Sequence, residues 1–157
     1  VTAVPVDVSC VVLGAEVDGA GAWAERHGWE LTLGSGLVLE VRMVHPADGG
    51  RLLLRGDFDG YRALPPSWLF VDPDTAEMTP RAWPSAGAVG GQPSMFHLVG
   101  IICANFNRRA YTVENGPHDW GGLTNWANVR EGVHAENVGE MLAAIATHLR
   151  YSPGRMG

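Results

Sequence analysis

The chain has 157 residues, 46% of them hydrophobic and 18% charged, with six Trp. That is one domain's worth of core material, and it excludes disorder, collagen-like repeats and low-complexity linker. Seventeen acidic residues against eleven basic give a formal charge of −6, which excludes a general nucleic-acid or anionic-membrane binder, since both need a cationic footprint.

In chain order, the β-branched run Val6 to Leu13 predicts a strand with Val8, Cys10 and Val12 on one face, Cys10 being core packing. Asp18 to Gly28 predicts a short helix capped by Asp18, with Trp23 and His27 sharing a face and Gly28 at the C′ position. Trp29 to Leu33, Leu37 to His45 and Arg51 to Phe58 alternate and are joined by glycine-rich turns, the pattern of an antiparallel meander. Pro65 and Pro66 break regular pairing and predict an extended crossover. The apolar run Trp68 to Val71 reads as a fourth strand. Met78 to Met95 is a long Pro-, Gly-, Ser- and Ala-rich loop, a length often tied to function. His97 to Phe106 reads as a buried extended segment carrying Cys103, and Arg108 to Val133 is polar and aromatic without periodicity. Val138, Met141, Leu142, Ile145 and Leu149 then mark one buried helix face. Asn137 and Glu140 form a capping-box pattern ahead of it, and Ser152-Pro153-Gly154 ends it.

The two cysteines make neither a disulfide framework nor a Cys-x-x-Cys metal pattern. No His-x-x-x-His spacing supports zinc, no Gly-x-Ser-x-Gly elbow supports a serine triad, and no Walker motif is possible without lysine. Neither a metal nor a cofactor is therefore expected, the other reading being a metal site in which His97, His118 and His134 join Cys103 in an unrelated α+β domain. No apolar run nears the roughly 18 residues of a membrane span, and no signal-peptide pattern is seen, so a cytoplasmic protein without a membrane partner is the expectation. All eleven basic residues are arginine; lysine is absent. A GC-rich genome accounts for that, and so does a protein handling something reactive toward primary amines.

Tyr61, Pro65, Pro66 and the run Trp68 to Val71, followed by Asp72-Pro73-Asp74-Thr75, resemble a tyrosine-proline segment of the ubiquitin-conjugating (E2, UBC) family. Gly100-Ile101-Ile102-Cys103 is similar to that family's Gly-x-[Ile/Val]-Cys segment, and Asn137 to Pro153 to the helix after its active site. The resemblance covers roughly Trp23 to Pro153 and rests on order and spacing. It implies a single α+β, UBC-like domain over residues 1–157. This would be a four-stranded antiparallel meander between an N-terminal helix and a C-terminal amphipathic helix, lacking the two C-terminal helices of eukaryotic E2 enzymes. Departures are the absent His-Pro-Asn triplet, with His97 six residues before Cys103, and the extra strand expected at Val6 to Leu13. These features look more like divergent bacterial E2-like proteins, found in conjugation operons of which some act in antiphage defence. The implied function is a cytoplasmic transferase. Cys103 would accept a ubiquitin-like protein as a thioester from an E1-like enzyme. The alternative is an inactive E2-like or RWD-type scaffold.

Several residues then invite roles. Cys103 is the candidate nucleophile, with a buried core thiol as its other reading. Arg108, Arg109 and His97 could supply an electropositive setting for it. Asn105 or Asn107 could stand in as oxyanion donor, as could backbone amides of the loop, or the two could simply form turns. His118-Asp119-Trp120 could place an oriented histidine facing the cysteine, or lie on the surface, and Trp120 could pack the loop. A lysine beside the thiol, such as Arg108→Lys, is expected to create self-conjugation.

Overall fold

The computed structural model describes residues 4–157. Helix α1 (Val6–Arg26) leads into strands β1 (Glu30–Leu33), β2 (Val38–Val44), β3 (Arg51–Asp57) and β4 (Ser67–Val71). Short 3₁₀ turns separate β4 from helix α2 (Val138–Tyr151). The architecture is α+β: an N-terminal helix, a four-stranded antiparallel sheet and a C-terminal helix.

The first element corrects the sequence reading. Val6 to Leu13 is no strand but the opening of a 21-residue helix, and Asp18 lies inside that helix rather than capping it. Alternation would have buried Val8 and Cys10, yet both are exposed. The buried stripe is Ser9, Leu13, Ala20 and Ala24, with Val17 partly buried against the core, which is helical spacing carried mostly by small residues around Leu13. Pro5, lacking the N–H that a helix start leaves unpaired, stands just ahead. The far end follows expectation. Gly28 sits at φ +70°, its N–H donates to Glu25 O (3.1 Å), and Trp29 N–H donates to Ala24 O (2.8 Å), a Schellman motif. Trp23 and His27 stack at 4.1 Å.

The sheet order is β1-β2-β3-β4, each strand antiparallel to the next. Val41, Leu54 and Phe70 are in register across it, as are Leu39, Gly56 and Trp68. Those positions face one core that also takes in Leu13 of α1, Val138, Met141, Leu142, Ile145 and Leu149 of α2, and the loop residues Trp83, Met95, Phe96, Phe106 and Trp126. Gly56 is dictated by space: a Cβ there would lie 2.7 Å from the Trp68 ring and 2.8 Å from that of Phe58. Helix α2 begins as its sequence predicts. Asn137 Oδ1 accepts from Glu140 N–H (2.9 Å), and Glu140 reaches back to the N–H of Glu136 (3.3 Å).

Glu16 ties the two helices together, accepting from the Tyr61 hydroxyl (2.7 Å) and from Val138 N–H (2.9 Å). The segment from His97 is not regularly extended. Leu98 and Ile101 pair across a tight turn, after which Ile102 to Asn107 is buried. Among the described residues no helix is long and apolar enough to cross a membrane.

Candidate functional site

Two loops and α2 converge beyond the sheet on a cavity of about 650 Å³. Val89 and Gln92 to Met95 of the long loop line it, with His97, Cys103, His118, Trp120, Glu131 to Val133, and His148 of α2. The Met78 to Met95 loop thus contributes its C-terminal half to the wall beside the cysteine.

What positions Cys103 is a set of side chains that grip backbone. Asn107 Oδ1 accepts from Trp68 N–H at the start of β4 (2.9 Å), while its Nδ2 donates to Ile102 O (2.8 Å). The cysteine segment is therefore pinned to the sheet edge. Arg108 closes the Pro-Pro crossover: its backbone N–H donates to Pro66 O (2.8 Å), and its guanidinium to Pro65 O (3.0 and 3.1 Å) and Asp59 O (2.5 Å). Cys103 N–H itself donates to Met95 O (2.7 Å).

Cys103 is 9% exposed, and its Sγ lies 3.1 Å from His118 Nε2. His118 is held from three sides. Its backbone pairs with Ala110 and Thr112, its ring stacks on Trp120 at 4.1 Å and 9°, and Tyr111 meets Trp120 edge-on at 5.1 Å. Trp120 has φ +44°, an unfavourable backbone for a bulky residue, of the kind that clusters at functional sites. Burial pushes the Cys103 thiol up, while burial and the nearby His97 lower His118, with Asp119 pulling the other way. Both directions favour the uncharged forms, thiol and imidazole. With the ring proton on Nδ1, Nε2 accepts from the S–H; with it on Nε2, the ring donates to Sγ.

The sequence-predicted residues sort clearly. Cys103, His97, His118 and Trp120 meet at the cavity. His97 Nδ1–H donates to Ser94 O (2.5 Å). Asn105, suggested as an oxyanion donor, is fully buried and spent elsewhere. Its Nδ2 donates to Trp126 O (2.6 Å), its Oδ1 accepts from Ala135 N–H (3.0 Å), and its carbonyl accepts from the Tyr111 hydroxyl (2.7 Å). Asn107 is spent likewise. Arg108 and Arg109 do not line the cavity, so they do not provide the electropositive setting expected for the thiol. Arg108 is drawn to the crossover, and the Arg109 Nε is buried. Cys10, expected in the core, is on the exposed face of α1.

Sequence reasoning missed His148 and Glu131. The signal for His148 was present: it stands seven residues after Met141 and three after Ile145, on the buried stripe of α2. Glu131 lies in the aperiodic stretch and carried none. Among the described residues no group of three or more His, Cys, Asp or Glu side chains could hold a metal ion.

What this arrangement can do is acyl transfer through sulfur. A histidine in hydrogen-bond contact with a thiol, itself oriented by a third group, is the arrangement that activates a cysteine nucleophile. Comparison of the chain with protein-family models, with curated proteins and with solved structures finds no match.

Proposed function

We propose that the chain is an E2-like carrier of a ubiquitin-like protein in a bacterial conjugation pathway. The observation that carries this reading is the Cys103–His118 contact of 3.1 Å at a cavity wall. Its place in the chain adds support. The pair follows an N-terminal helix, a four-stranded meander and a Pro-Pro crossover, and precedes α2, the order that resembles the E2 family. The helix found at Val6–Arg26 also removes the extra strand that set the sequence apart from that order.

In loading, His118 takes the thiol proton as Cys103 Sγ attacks the carbonyl carbon of the E1-like enzyme's thioester. The new S–C bond forms, the old one breaks, and His118 passes the proton to the departing thiolate. In transfer an amine attacks the Cys103 thioester. The C–N bond forms, the C–S bond breaks, and the amine's proton returns through His118 to Cys103 Sγ.

Incubation with a cognate E1-like enzyme, ATP and ubiquitin-like protein is expected to give a thiol-labile adduct on Cys103. Cys103→Ser is expected to give a thiol-resistant ester in its place. Equal charging of Cys103→Ala would sink the reading. The low exposure of Cys103 favours the second one, a binding module for the same ubiquitin-like protein. Tight binding of that protein with no adduct would establish that role instead.

A further inference from the structure

The geometry points to His148 as the oxyanion donor of this site: its Nε2–H would hold the acyl oxygen as charge develops there during transfer at Cys103. This deepens the acyl-transfer reading, on which it rests. Acyl transfer needs such a donor, since a tetrahedral intermediate places negative charge on the carbonyl oxygen and one fixed N–H stabilises it strongly. The side-chain amides nearest the cysteine in sequence are unavailable, because Asn105 and Asn107 are spent on backbone groups.

His148 has the features they lack. It is 7% exposed and lines the same cavity as Cys103. Its Nδ1 accepts from Met95 N–H at 3.0 Å, which fixes the ring proton on Nε2. Among the described residues Nε2 has no hydrogen-bond partner, and the ring belongs to the cavity wall that also holds Cys103. The carbonyl of the same Met95 accepts from Cys103 N–H at 2.7 Å. One residue's backbone thus holds both the nucleophile and the proposed donor. Burial lowers the His148 pKa, so the ring stays neutral in the tautomer described. Edge-on contact with Phe96 (6.2 Å) helps to fix its plane. No bond changes at His148 itself. A small thioester RC(=O)–SR′ and Cys103–SH give Cys103–S–C(=O)R and R′SH, with His118 carrying the proton and His148 only donating a hydrogen bond.

The test uses Cys10→Ser protein and two reagents for Cys103. An N-acetylglycyl thioester acylates the thiol through an oxyanion. Iodoacetamide alkylates it by displacement, with no oxyanion. His148→Asn keeps an acceptor for Met95 N–H but withdraws the donor at Nε2, and His148→Gln restores a donor at about that reach. The expected result is that His148→Asn slows acylation about 10²-fold and leaves alkylation within about twofold. His148→Gln is expected to recover most of the acylation rate. Acylation unchanged in His148→Asn, or both reactions slowed in parallel as a packing defect would produce, overturns the proposal. Neither reagent involves an E1-like enzyme or a ubiquitin-like protein. A chain that shows this split yet is never charged would keep His148 in its role and lose the carrier function alone.

Discussion

At the scale of single residues, the proposed carrier role turns on the protonation of a thiol and an imidazole in contact at 3.1 Å. Burial disfavours the charged form of each group, raising Cys103 and lowering His118. Because the folded pKa of the thiol is raised, the thiolate fraction near pH 7 is smaller than in a free cysteine, whose pKa is about 8.5. The alkylation rate of Cys103 by iodoacetamide is therefore expected to climb with pH and to level off only above that value. A plateau at or below pH 7 would instead mean a resting thiolate–imidazolium pair. The same sign governs His118→Ala. Loss of the base is expected to cost about 10²–10⁴-fold in acyl transfer at pH 7. Part of that loss should be regained near pH 9, where thiolate forms without help.

At the scale of elements, α1 carries more glycine than a helix favours. Gly14, Gly19 and Gly21 all lie within it, and a Cβ added at any of them meets nothing within 4 Å. They serve no close approach, so their entropic cost is uncompensated. Gly14→Ala and Gly21→Ala are each expected to raise stability by about 0.5–1 kcal/mol, read as higher denaturation midpoints. Unchanged or lower midpoints would mean that the exposed face of α1 is covered in the native protein. The same helix shows where sequence reading fails. Val6, Val8, Val11 and Val12 speak for a strand by composition, but Ser9 and Leu13 turn inward, followed by Ala20 and Ala24, and a stripe in which Leu13 is the one large buried residue gives periodicity little weight. The meander and α2 were legible because their apolar positions are large and regularly spaced. Of the site, Cys103, His97, His118 and Trp120 were legible as residue types. Their convergence was not, because it depends on 3₁₀ turns and on side chains bonded to distant backbone, such as Asn105 to Trp126 and Ala135. Asn105 and Arg108 were misread for that reason: a polar residue beside a candidate nucleophile in sequence can be the one that holds the loop.

At the scale of the whole molecule, the missing lysine acquires a place to be tested. A carrier that exposes a thioester is open to attack by any amine within reach, and these 157 residues offer no lysine side chain. Arg108→Lys would be a poor probe, because the guanidinium is directed to Pro65 and Asp59 rather than to the cavity. Gln92 is better placed. It lines the cavity with Cys103, its side chain is exposed, and its backbone N–H and carbonyl both pair with Val89, so the turn survives a change of side chain. Gln92→Lys is expected to convert the charged, thiol-labile adduct into a thiol-resistant amide on residue 92, found by peptide mass spectrometry. Gln92→Arg adds the same charge without a nucleophilic amine and should remain thiol-labile. Amide formation in the first variant and not the second would show that excluding lysine from the cavity rim protects the carrier from its own cargo. A thioester that persists equally in both would leave genome composition as the sole account of the missing lysines.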